Sequence, residues 1–178
     1  MIEVNIKNHL HNIEDMTLKI KNRHRLKSKE IKDLICFLKT KYSTDFFDIN
    51  SSVEMGFLDD FKIILVDDSI DLVVIDNLYV LTLRGLYKYK PKEYFVVVDM
   101  GAVGFVTKGA DVMAPGIVDA DEKIQENDYV WICDEKHHKP LAIGRALITG
   151  EEMKSNKSGK AIKNIHFVGD KLWNLSST

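Results

Sequence analysis

The run from Tyr94 to Ile117, YFVVVDMGAVGFVTKGADVMAPGI, constrains this chain more than any other stretch. Phe95 to Val98 is a short apolar run with β-branched residues, which suits a strand. Asp99-Met100-Gly101 breaks the run, and Val103 to Val106 resumes it. Gly109 then permits a bend or a close approach that a Cβ would block. Pro115 fixes its own φ and discourages helix at Ala114. The spacing therefore predicts a strand, a glycine loop, a one-turn helix between Gly109 and Pro115, and a Pro-Gly exit. In that order, the loop ahead of the helix would offer unpaired backbone N–H groups to an anion. Lys108 supplies a positive charge beside it, and Met113 would either support a base or ribose or pack inward. Surface loops between rigid elements are where binding residues concentrate.

At 178 residues and 45% hydrophobic content, the chain suits one large domain or two small ones. A net charge of −2 excludes a global basic field but not local patches. No uninterrupted apolar run approaches the length of a membrane span, and the first residues, MIEVNIKNHLHNIED, lack a secretory core. Cys36 and Cys133 are far apart, in an expected helix and an expected strand. They read as two buried thiols in a reducing cytoplasm rather than a disulfide framework.

Near the N-terminus, Ile2, Val4 and Ile6 alternate with polar residues, and Thr17 to Lys21 alternates again, so two strands are expected. Lys19, Lys21, Arg23, Arg25 and Lys27 form a basic run. It reads either as a phosphate-contacting patch or as a solvated edge that resists strand-to-strand aggregation. Ser28 to Tyr42 reads as a helix N-capped by Ser28, with Ile31, Leu34, Ile35 and Leu38 on one face. Phe61 to Val66, Ile70 to Ile75 and Tyr79 to Leu83 read as an antiparallel meander with acidic turns at Asp67-Asp68 and Asp76-Asn77. The segment Arg84 to Lys92, RGLYKYKPK, is taken as a domain boundary. Its cations and tyrosines would either hold an RNA backbone and stack a base, or form a linker with two packed tyrosines.

Further on, Tyr129 to Cys133 and Leu141 to Ile148 read as a hairpin around Asp134 to Lys139. Gly144 marks a bulge or close approach, and Thr149 to Glu152 fits a capping box. Lys154 to Lys163 reads as a polar basic loop, with Ile165 to Val168 and Leu172-Trp173 as closing strands. Many short strands with regular turns predict a small barrel.

The words VGFVTKGADVMAPGIV resemble the first strand, glycine loop and helix of the PUA domain, an RNA-binding module. The closing words GKAIKNIHFVGDKLW resemble the malignant T-cell amplified sequence family, which pairs a PUA domain with an N-terminal pre-PUA domain. The resemblance implies an α+β chain: an α/β pre-PUA domain with an antiparallel sheet over residues 1–92, then a small mixed β-barrel over 93–178. It also implies noncatalytic work on the small ribosomal subunit with a density-regulated partner protein, the PUA domain facing the tRNA 3′ end. RNA contact carries over only to Thr107, Lys108, Gly109, Ala110, Asp111, Met113, Pro115 and Gly116. PUA-type readout favours RNA shape and terminal nucleotides over base sequence. An accessory role in tRNA or rRNA modification, and a protein-interaction module, are the competing expectations.

No enzymatic constellation is expected. Cys133 with His137 and His138 lacks further ligands for zinc, and His9 with His11 is sparser still. Gly101-x-x-Gly104 lacks the strand-to-long-helix context of a dinucleotide fingerprint, and no nucleophile elbow or Walker loop is present. His166 reads as a barrel histidine rather than a base. Neither cofactor nor metal is therefore expected.

Overall fold

The structure, a computed structural model, describes residues 20–175. The expected strand at Ile2 to Ile6, Lys19, and His9 with His11 lie outside them. The described chain holds two sheets, each built from short strands.

The first is a five-stranded antiparallel meander in the order β1-β2-β3-β4-β5. Its strands are β1 (Lys21–Arg25), β2 (Val53–Leu58), β3 (Phe61–Val66), β4 (Ser69–Ile75) and β5 (Leu78–Leu81). The last three are the strands the apolar runs foretell, while β2 has no such signal. Asp67-Asp68 and Asp76-Asn77 both carry positive φ, the geometry of two-residue hairpin turns whose twist matches the strands. Helix α1 (Ser28–Tyr42) buries Ile31, Leu34, Leu38 and Tyr42 against this sheet. Its cap position is Lys27 rather than Ser28: the Glu30 carboxylate accepts from the Lys27 backbone N–H at 2.8 Å. Cys36 lies on the outer face of α1 and is exposed, so only Cys133 is a buried thiol.

The second sheet is mixed and barrel-like, in the order β7-β11-β10-β9-β6-β8. It comprises β6 (Phe95–Val98), β7 (Val112–Met113), β8 (Ile117–Ala120), β9 (Tyr129–Asp134), β10 (Pro140–Ala146) and β11 (Lys160–Phe167). Strands β6 and β9 run parallel, and the other pairings are antiparallel. Its interior is filled by Val96, Val98, Val106, Ile124, Ile132, Ala142 and Ile162. At Gly144 the β10–β11 register shifts, and an added Cβ would lie 2.3 Å from Ile162 Cγ2 and 2.7 Å from the Lys163 carbonyl. Only glycine fits that strand crossing.

Between the sheets runs α2 (Leu83–Tyr89), in the segment that the sequence reads as a domain boundary. Thr82 caps it by accepting from Gly85 N–H, and Leu83 and Leu86 enter a core shared with Tyr129, Ile143 and Leu172. The buried His166 Nδ1 sits 2.7 Å from Asp170, and its Nε2 accepts from Leu83 N–H at 3.5 Å. That pairing ties the second sheet to α2. Two closing expectations are corrected. The basic loop is only 156–159, because α4 (Gly150–Ser155), capped by Thr149 with Glu152, runs up to it and β11 begins at Lys160. Leu172 and Trp173 are helical, in α5 (Lys171–Leu175), since Asp170 accepts from Trp173 N–H at the helix start.

Candidate nucleic-acid interface

The organising stretch folds differently from its reading. After β6 comes helix α3 (Met100–Val106), not a resumed strand. Asp99 caps it by accepting from Ala102 N–H at 2.8 Å, and Glu135 accepts from Met100 N–H at 3.0 Å. Carboxylates therefore already occupy the N-terminal end of the helix. The expected one-turn helix after Gly109 is instead β7, followed by a 3₁₀ turn at Ala114–Gly116.

Gly109 is correspondingly a helix stop. Its φ is +85°, its N–H donates to the Val106 carbonyl, and Ala110 N–H reaches back to the Phe105 carbonyl. This pair of bonds closes a Schellman cap. Lys108 N–H donates to Phe105 and Thr107 N–H to Val103. The amides expected to face an anion are thus consumed inside the turn. An added Cβ at Gly109 would lie 2.7 Å from the Phe167 ring, so the turn also packs tightly on β11.

What the stretch builds instead is a groove of about 540 Å³ between α3, β7 and the 3₁₀ turn. Gly101, Ala102, Phe105, Met113, Pro115 and Gly116 line it. Phe105 is 68% exposed and Met113 47%, large values for apolar side chains. Ala110 and Asp111 form another part of its wall. Lys108 stands exposed at the end of α3, while Thr107 turns its hydroxyl back to the Val103 carbonyl at 2.9 Å. Thr107, Lys108 and Gly109 thus sit beside the groove rather than in it.

Lys160 lies opposite Met113 in the β11–β7 pairing and bonds the Asp111 carboxylate at 2.8 Å. Lys160 and the Asn164 amide hold the Asp111 carboxyl below its ordinary range, and Lys163 adds to this. The Asn164 side chain donates to the Val106 and Ala110 carbonyls, fixing the turn on β11. The groove is therefore an apolar trough whose wall carries the Asp99 and Asp111 carboxylates, the latter paired with Lys160, while Lys108 stands exposed beside it. Phe105 escapes the sequence reading because Val103 to Val106 reads as a strand, and Gly101 and Ala102 because the segment before Val103 reads as a break in the apolar run.

The basic run divides. Arg23 is held by Glu54 and Asp68, with Nε donating to Glu54 at 3.0 Å. Lys21, Arg25 and Lys27 are exposed on or next to β1, an edge strand. At the β9–β10 turn, Cys133 Sγ lies 4.0 Å from His138 Nδ1, and burial pushes its thiol up to about 12. Among the described residues, no three His, Cys, Asp or Glu side chains group as metal ligands do, and no helix is long and apolar enough to cross a membrane.

The family model of the PUA domain matches residues 94–168, which carry the groove. An uncharacterized protein of Methanocaldococcus jannaschii is 45% identical over 160 residues, covering 89% of this chain and 99% of its own. Translation machinery-associated protein 20 of Eremothecium gossypii is 35% identical over 101 residues, 53% of this chain and 56% of its length. Malignant T-cell-amplified sequence 1 of Rattus norvegicus is 32% identical over 99 residues, 54% of each chain. This chain belongs to that family of PUA-domain proteins.

Matches to the two eukaryotic members span little more than half of each. A hypothetical protein of Pyrococcus horikoshii superposes with a TM-score of 0.76 at 37% identity, over 86% of this chain and 99% of that one. The likeness therefore includes the N-terminal sheet. Within the PUA segment, the residues brought together at the groove are Ala110, Asp111, Met113, Pro115 and Gly116, with Phe105 added by the fold.

Proposed function

We propose that this chain is a noncatalytic RNA-binding factor of the translation apparatus, acting in the cytoplasm on the small ribosomal subunit or the tRNA 3′ end. The observation that carries this reading is the groove. An exposed phenylalanine and methionine form a stacking surface, with the exposed Lys108 beside it to meet a phosphate. The names of the relatives associate them with translation and support placing that RNA in the translation machinery. We further read the chain as two functional units meeting near residue 92, with the groove in the second.

Co-sedimentation with small ribosomal subunits, with and without RNase, tests the proposal. Cosedimentation abolished by RNase treatment is expected, and a density-regulated-type partner would be recovered in the same fractions. Recovery with an RNA-modifying enzyme, or binding insensitive to RNase, contradicts it. Lys108→Glu, at an exposed position, is expected to lower the slope of log affinity against log salt by about 0.7, the value for one single-strand phosphate. An unchanged slope in filter binding removes Lys108 from the interface.

A further inference from the structure

The segment from Arg84 to Lys92 carries more cations and tyrosines than the fold consumes. Lys88 and Tyr89 both bond the Asp71 carboxylate. Tyr87 and Lys90 instead line a second cleft of about 340 Å³, between α2 and the β9–β10 turn. Trp131, His137, His138 and Lys139 form its other wall. This volume lies within the roughly 300–1,000 Å³ of small-ligand sites.

The aromatic surface is fixed. The Tyr87 hydroxyl donates to the Pro140 carbonyl at 3.0 Å, and its ring lies 6.4 Å from that of Trp173. Trp131 Nε1 donates to the Glu93 carbonyl at 2.8 Å, which anchors the indole. The charges are available. Neither Lys90 nor Lys139 forms a salt bridge among the described residues, whereas Lys88 does. Asp134, the carboxylate of this turn, is buried and accepts from the Lys136, His137 and Lys139 amides, so it faces the turn's own backbone.

Backbone conformation points the same way. Lys90 follows α2 at φ 49° and ψ 59°, with its N–H donating to the Leu86 carbonyl, and His138 has φ 49°. Glycine occupies such left-handed positions at less conformational cost. The chain keeps side chains there, and both line the cleft.

We propose that this cleft is a second RNA site, taking one nucleotide of a single strand. The base stacks on the Tyr87 and Trp131 surface, and its phosphate meets Lys90 and Lys139. Fixed aromatic rings beside unpaired cations are the chemistry by which single strands are held. The proposal rests on the RNA-binding reading above, but it has a separate readout.

Both tryptophans of the chain report on this cleft: Trp131 lines it, and Trp173 lies against Tyr87. The groove at Phe105 contains none. The full chain is titrated with octaadenylate in about 50 mM salt, where phosphate binding is strong, while tryptophan emission is followed. Saturable quenching is expected, and Phe105→Ala should leave its amplitude intact. Lys90→Gly with Lys139→Gln should weaken the quenching affinity about tenfold and lower the salt slope by about 0.7 for each lysine that meets a phosphate. The melting temperature of this double variant should be unchanged or higher, because glycine relieves the backbone at position 90.

Filter binding of octaadenylate without quenching overturns the cleft alone. A titration of the double variant that superimposes on that of the natural chain also overturns it. Absence of both signals overturns the RNA-binding reading and the cleft together. Quenching by polyglutamate but not by octaadenylate assigns the cleft to an acidic protein segment and likewise overturns the proposal.

Discussion

Replacing Lys88 with methionine is expected to lower stability by about 3 kcal/mol, the lower end of the cost of leaving a buried carboxylate without its partner. Asp71 is wholly buried in the middle of β4, and Lys88 reaches it at 2.7 Å from α2. The Tyr89 hydroxyl donates to the same oxygen at 2.5 Å, while the other oxygen, Oδ1, has no hydrogen-bond partner among the described residues. Burial and then Asp71 hold the Tyr89 phenol protonated well above its ordinary range, so it remains a donor. The lysine side chain is 40% exposed, which screens its end of the pair and favours the lower figure. For a chain of this size, about 3 kcal/mol corresponds to a fall in melting temperature of roughly 6–12 °C.

Pairing Lys88→Met with Asp71→Asn should recover most of that fall, because no buried charge then remains. Thermal unfolding of the two single variants and the double variant checks this. A shift under about 2 °C for Lys88→Met would mean that the pair holds little of the α2–β4 contact. The same helix carries Tyr87 and ends at Lys90, so the clamp also sets the wall of the second cleft.

The second large effect concerns binding. Phe105→Ala with Met113→Ala should reduce RNA affinity between about fivefold and 150-fold, since one base stacked on an aromatic ring contributes about 1–3 kcal/mol. Both side chains are exposed, so the fold should lose little: surface substitutions usually change stability by less than about 0.5 kcal/mol. Filter binding and thermal unfolding on the same preparation separate the two effects. An affinity within about twofold of the natural chain would show that no base rests on Phe105.

The fold is legible where residue patterns are long. The meander β3 to β5, the apolar stripe of α1, the β9–β10 hairpin, the Gly144 irregularity and the Thr149 cap all follow from periodicity or local chemistry. Short segments fail for a physical reason. Four consecutive residues, Val103 to Val106, carry no period that separates helix from buried strand. The deciding signal is Asp99, whose side chain caps α3 from three residues before Ala102. Gly109 does mark a bend, but it ends a helix where the spacing predicts that it precedes one. A glycine that ends a helix consumes amides instead of exposing them. Leu172 and Trp173 mislead similarly, since two apolar residues cannot distinguish a strand from the helix that Asp170 starts.

The candidate site is legible in part. Ala110, Asp111, Met113, Pro115 and Gly116 do meet at one groove, whereas Thr107, Lys108 and Gly109 form the turn beside it. Phe105 is invisible in the sequence because its exposure depends on α3 turning one face outward. The basic run does not act as a unit: the acidic groups that hold Arg23 come from β2 and the β3–β4 turn, far away along the chain.

Photocrosslinking of a single-stranded RNA carrying 4-thiouridine, followed by mapping of the adducts, tests the groove most directly. Adducts should concentrate between Met100 and Gly116, at Phe105 and Met113 above all, and diminish in the Phe105→Ala, Met113→Ala chain. Adducts confined to β1 or the N-terminal sheet, with none between Met100 and Gly116, would contradict the assignment of RNA to this groove.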